Sequence, residues 1–174
     1  SRIRRVEVQF IKKQLESYLL KEIKEDSIHL NINEEKINEF LNGNTLEKYN
    51  IGLTYGVISF YSGQKKLLKE SLLELERKYK NENTLEGKII YEKLRRVKIG
   101  SVDEFQGMEF DVIFLSIVRS HNLIKNKNEE DHEKFENELF GIKNYGFLVS
   151  ENRLCVALSR QKKLLVIVGD SNMF

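Results

Sequence analysis

In NRLCVALSRQKKLLVIVGD (152–170), Arg153 and Arg160 stand seven positions apart in a stretch patterned like a helix, with Ala157 between them. On a 3.6-residue period these three fall at i, i+4 and i+7 and share a face, while Leu154 and Leu158 lie on a neighbouring stripe. A guanidinium keeps its charge at any physiological pH and presents its donors in a fixed fork. Aimed from a helix into a cleft, it can stabilise negative charge on a transferring phosphoryl group. Arg160 also falls in the predicted last turn, where a cation is favoured by the helix dipole. Taken alone, the stretch leaves both roles open.

Two other stretches bear on the same chemistry. SFYSGQKK (59–66) puts Tyr61 on the turn after an apolar run and Gln64 at the start of the next helix. A tyrosine there can offer its face to a planar base, and an amide can hydrogen-bond that base or orient a phosphate. A surface tyrosine with a turn glycine is the simpler reading of that stretch alone. In GSVDEFQGMEF (100–110), Ser101-x-x-Glu104 fits a capping box, which predicts a short helix whose N-terminal amides suit a phosphate. Gly107 permits close backbone approach, and Glu109 could accept hydrogen bonds from a ribose hydroxyl. The alternative is a capped turn with a solvated glutamate. Neither Glu104 nor Glu109 adjoins a histidine, which argues against acid–base catalysis.

What is missing narrows the reading. The chain has no G-x-x-x-x-G-K-[ST] phosphate loop and no Cys/His set at zinc spacing, so no metal site is expected. His29, His121 and His132 all fall in polar stretches. Nothing here is expected to hold ATP and magnesium unaided.

These residues need elements to position them. Residues 4–24 place Val8, Ile11, Leu15, Tyr18, Leu19 and Ile23 at helical spacing, and 63–80 do the same with Leu67, Leu68, Leu72, Leu75 and Tyr79. YGVISFY (55–61), VKIGSV (97–102), FDVIFLSIV (110–118) and KLLVIVGD (163–170) read as strands, and 85–96 is ambiguous. Apolar strands alternating with helices predict a parallel sheet covered on both faces. Ligands gather at the carboxyl ends of such strands, here Ser59–Gln64, Ser101–Gly107, Val118–Ser120 and Gly169–Asp170. Residues of about 25–50 and 121–143 read as polar insertions, the first with a weak helix around 34–41.

The bulk composition sets the frame. The chain has 174 residues, 40% hydrophobic and 32% charged, with a net charge of +2, so it fits one domain, and any anion site must be local. One cysteine, Cys155, excludes an internal disulfide and suits a reducing compartment. No apolar run approaches the roughly 20 residues needed to span a bilayer. The opening Ser-Arg-Ile-Arg-Arg, without an initiator Met, suggests a piece of a longer protein.

Taken in order, three stretches resemble the second RecA-like domain of superfamily-1 helicases of the Upf/senataxin-like group. YGVISFYSGQ is similar to motif IV, I-G-V-I-T-P-Y-x-x-Q, and VKIGSVDEFQGMEFDVIFLSIVRS to motif V, V-D-x-F-Q-G-x-E-x-D-x-I-I-x-S. GFLVSENRLCVALSRQKKLLVIVGD is similar to motif VI, G-F-L-x-x-x-R-R-L-N-V-A-L-T-R-A-K. The resemblance covers roughly residues 50–120 and 145–170. It implies a three-layer α/β RecA-like domain of the P-loop NTPase type, with a mainly parallel sheet flanked by helices over residues 1–174.

The resemblance also implies roles. Arg160 would be the arginine finger to the γ-phosphate of ATP, and Arg153 would support it or bond across the cleft. Tyr61 would pack near adenine or ribose, with Gln64 beside the nucleotide. Gly107 and Glu109 would face the nucleotide, Glu109 at the ribose. Ser59, Ser101, Arg119 and Ser120 would lie near a single-stranded RNA or DNA backbone. ATP and Mg2+ would be bound mainly by an N-terminal RecA-like domain of the same protein, in the nucleus or cytoplasm and away from membranes. Phe60 stands where the family usually has Pro, Ser62 where a polar or basic residue is frequent, Cys155 where Asn is usual and Gln161 where Ala is usual. These departures leave a second reading open: a helicase-derived scaffold that binds nucleic acid or protein without catalysis.

Overall fold

The alternation of Tyr55, Val57 and Ile58 with their neighbours, and of Val112 to Ile117, builds the centre of a sheet that is apolar on both faces. The computed structural model describes residues 4–30, 52–118 and 151–169. In chain order the elements are helix α1 (Arg5–Leu30), strand β1 (Tyr55–Ser59), helices α2 (Ser62–Lys80) and α3 (Leu85–Leu94), and strand β2 (Lys98–Gly100). A 3₁₀ turn (Asp103–Phe105), strand β3 (Phe110–Ser116), helix α4 (Glu151–Leu158) and strand β4 (Gln161–Val168) follow. The sheet is all parallel in the order β2-β1-β3-β4. Register pairs Ser59 with Ser116 and Ser116 with Val168, so these three strands end level.

Helices cover both faces, giving the expected three-layer α/β architecture. On one side α1, α2 and α3 bury Ile11, Leu15, Leu19, Leu68, Leu75, Ile90 and Leu94 against Val57, Val112 and Phe114. On the other, Ala157 of α4 and Phe105 of the 3₁₀ turn pack on Ile58, Ile113 and Leu115. Phe105 fits because Gly56 and Gly100 leave room. A Cβ on Gly56 would come within 2.7 Å of its ring, and one on Gly100 within 3.0 Å.

Helix α1 continues to Leu30, into the stretch of about 25–50 read as a polar insertion. The ambiguous stretch 85–96 is helix α3, capped by Thr84, whose hydroxyl accepts from the Gly87 amide at 3.0 Å. Strand β4 is not buried on both sides: among the described residues it is one of the two edge strands, with Leu164 40% and Ile167 47% exposed. The expected helix at 34–41, the insertion at 121–143, and Arg119 and Ser120 lie outside the described residues.

Candidate functional site

At the carboxyl end of β1, the chain turns into α2 through Phe60 and Tyr61. Ser59 is buried and its hydroxyl accepts from the Tyr61 amide at 3.3 Å; Tyr61 is half-buried against the Phe105 cluster. Gln64 has no exposed surface. Its Nε2 donates to the Arg4 carbonyl at 3.1 Å and to Ser116 Oγ at 3.0 Å, while its Oε1 accepts from the Arg4 amide at 2.9 Å. Both donors and the acceptor are therefore committed within the fold. The sequence held a signal for this: Gln64, Leu68, Ser71, Leu75 and Tyr79 share the buried stripe of α2.

Beyond β2, the capping box forms as read. The Ser101 amide and hydroxyl donate to Glu104 Oε2 at 2.6 and 3.0 Å, and the Glu104 amide donates to Ser101 Oγ at 3.4 Å. Lys65 of α2 adds a third donor, Nζ to the same oxygen at 3.0 Å. The bond from the Ser101 amide, reinforced by Lys65 and the serine hydroxyl, holds the Glu104 carboxyl down to about 2. The expectation of free amides awaiting a phosphate is corrected here: the helix is a single 3₁₀ turn, and Glu104 already occupies the Ser101 amide.

A second group lies at the opposite end of the sheet. Gly107 and Glu109 directly precede β3, and Arg160 directly precedes β4, so all three sit at amino ends. The correction for Gly107 has a topological reason. The chain from 101 to 109 runs back down the sheet to begin a parallel strand, and takes Gly107 with it. Gly107 has φ +78, and no atom lies within 4 Å of where a Cβ would be, so its flank is open to a ligand. Arg160 Nε donates to the Val156 carbonyl at 3.1 Å, Nη1 to the Met108 carbonyl at 3.3 Å, and Nη2 to Ser159 Oγ at 2.9 Å. The guanidinium thus rests against the Gly107–Glu109 turn. Glu109 is 3.9 Å from Lys162 Nζ.

Helix α4 ends at Leu158, so Arg160 stands beyond it rather than in its last turn, and the seven-residue stripe is broken. Ala157 faces the core, and Arg153 lies at the rim with its Nη2 2.8 Å from Asp103 Oδ2. Asp103 lies 50 positions from Arg153 in sequence, and only the fold brings the two together. The amino-end and carboxyl-end groups are separated by the length of seven-residue β3, roughly 20 Å at the usual rise per residue. Among the described residues no three His, Cys, Asp or Glu side chains could hold a metal ion, and no helix is long and apolar enough to cross a membrane.

Comparison with known proteins bears on the same stretches. The AAA domain family AAA_12 matches residues 1–172. RNA helicase Mov10l1 of Mus musculus is 38% identical over 80 residues, covering 46% of this chain and 6% of its own length. The DNA polymerase alpha-associated DNA helicase A of Saccharomyces cerevisiae is 44% identical over 78 residues, 45% of this chain and 9% of its own. A regulator of nonsense transcripts 1 homolog of Neurospora crassa is 38% identical over 115 residues, 66% of this chain and 8% of its own. The matched region is therefore under a tenth of each relative. With a parallel α/β sheet and a family match along nearly its whole length, this chain belongs to the AAA_12 family of AAA domains, within the superfamily-1, Upf1-like helicases.

Proposed function

We propose that this chain is the second motor domain of an ATP-dependent helicase that translocates on and unwinds RNA or DNA, with Arg160 as its arginine finger. The observation that supports this most is the contact of the Arg160 guanidinium with the Met108 carbonyl. It gathers a cation, a carboxylate and an open-flanked glycine into one corner. In this reading ATP lies between that corner and another RecA-like domain, which supplies the phosphate loop and the carboxylates for Mg2+. Gly107 lets the backbone come close and Glu109 accepts from the ribose hydroxyls, while Tyr61, at the carboxyl end of β1 and roughly 20 Å away, lies out of reach of a base attached to that ribose. Arg160 leaves its carbonyl partners for the γ-phosphate when the cleft closes. Arg153 steadies the same face through Asp103. Ser101, Arg119 and Ser120 follow the single strand, and the buried Ser59 serves that track by holding the Tyr61 turn. The protein then works inside the cell, in nucleus or cytoplasm.

In the full-length protein, Arg160→Ala is expected to cut nucleic-acid-stimulated ATP turnover by about 10³-fold or more while nucleotide binding changes little. Steady-state turnover beside a fluorescent-nucleotide titration measures both. Unchanged turnover would return Arg160 to a helix-end cap and favour the scaffold reading.

A further inference from the structure

Glu7 stands in the first turn of α1, yet it is only 3% exposed. Its Oε2 accepts from Ser116 Oγ at 2.7 Å, and its two oxygens lie 3.2 and 3.1 Å from the Val118 amide. Arg4 Nε is 3.7 Å from Glu7 Oε1. Ser116 in turn accepts from Gln64, which is clasped to the Arg4 backbone on both sides of its amide. Donors and acceptors run one way, from the Gln64 amide to the Ser116 hydroxyl to the Glu7 carboxylate.

The last link of this chain is a strained residue. Val118 has φ 66, and among the described residues it is the non-glycine with a positive φ. A β-branched side chain in the left-handed region is a true outlier and persists only where surrounding groups enforce it. The carboxylate of Glu7 bonds the amide of that residue, two positions past the end of β3, where the chain continues into Arg119.

We infer that Glu7 is a positioning residue: its buried carboxylate holds Val118 in the left-handed turn and, through Ser116 and Gln64, locks that turn to the start of α2. The turn carrying Tyr61 and the strand end leading to Arg119 are thereby made one unit. Its functional side rests on the motor-domain reading above. A buried carboxylate serving only as a core anchor would have no dependence on the backbone conformation at 118.

The test uses the full-length protein and the variants E7Q, V118G and E7Q/V118G. Glutamine keeps the shape of Glu7 but loses its charge and replaces one acceptor oxygen with an NH2 donor, which the Val118 amide or the Ser116 hydroxyl must then face. E7Q is expected to lower nucleic-acid-stimulated turnover about tenfold, with the KM for ATP changed less than about twofold, and to speed Val118 amide exchange about tenfold. Glycine adopts the same φ without strain, so E7Q/V118G is expected to regain the turnover of V118G alone, the reference that already lacks the buried valine. Failure of V118G to rescue E7Q, or an E7Q protein with normal turnover and normal Val118 exchange, overturns the inference. If E7Q does not fold, folding of E7Q/V118G supports it and failure of both overturns it. Absence of stimulated turnover in the wild type defeats the motor reading instead, and amide exchange and folding then decide Glu7 alone.

Discussion

Arg160 makes three hydrogen bonds inside its own domain, and a γ-phosphate would have to outcompete each of them. The donor is charged in both settings, so a phosphate gains over the carbonyls through direct attraction between opposite charges rather than through stronger hydrogen bonds alone. In the proposed finger reading the bonds at rest serve as a parking position. A lysine cannot fork between the Val156 and Met108 carbonyls, so Arg160→Lys is expected to turn over ATP more like Arg160→Ala than like the wild type. Steady-state rates of the three proteins check this. Arg153 differs in kind. Its pair with Asp103 is well exposed, 39% and 64% on the side chains, so its loss should cost under about 1 kcal/mol of stability. Any large effect of Arg153→Ala on turnover then reports a role across the cleft. Glu104 offers a pH test. Its folded carboxyl titrates at about 2, below its ordinary value, so the cap contributes fully above the ordinary carboxylate range and fades as pH falls towards 2. Carboxyl resonances followed by NMR from pH 6 to 2 should show Glu104 among the last to protonate.

The crossover between β2 and β3 shows how an element without regular structure can be held. Its anchor is Phe105, fully buried with its ring tilted against that of Phe110 at a centroid distance of 5.2 Å, beneath the two glycines that admit it. Phe105→Ala should therefore cost about 3–5 kcal/mol, seen as a lowered urea midpoint, and loosen both Ser101 and Gly107. The elements differ in how far they could be read ahead. Strands β1 and β3 were legible because β-branched and aromatic residues alternate between two cores. The Ser101–Glu104 box was legible because its geometry is local. Helix α3 was not: Gly87, Ile89 and Ile90 are weak helix formers, and burial of Ile90 and Leu94 overrides them. The last turns of α1 were missed because Asp26, Ser27 and His29 read as polar chain. For the candidate site, residue types were legible but partners were not. Arg153 with Asp103 and Gln64 with Ser116 are joined only by the folded sheet.

Across the whole molecule, the end of the sheet opposite Ser59 is tied by a buried ion pair. Lys93 of α3 lies 2.7 Å from Glu22 of α1, which also accepts from the Leu53 amide and, at 2.8 Å, from the Tyr55 hydroxyl. Burial, then the Glu22 charge, pushes the Tyr55 hydroxyl well above its ordinary range, so it stays a donor. Lys93→Met alone should destabilise the domain by about 3–5 kcal/mol, because it leaves Glu22 buried with its charge uncompensated. Adding Glu22→Leu should recover only part of that, since Leu53 and Tyr55 then lose their acceptor; chemical denaturation of the single and double variants compares them. The purified domain is expected to hydrolyse essentially no ATP, and brisk turnover would contradict the division of labour proposed for it. Cys155 lends itself to a different use. It is the sole cysteine of this chain, exposed on α4 between Arg153 and Arg160. A maleimide dye attached there disturbs no core contact, so its emission reports on the helix beside Arg160 and, in the proposed motor reading, would follow closure of the cleft in real time.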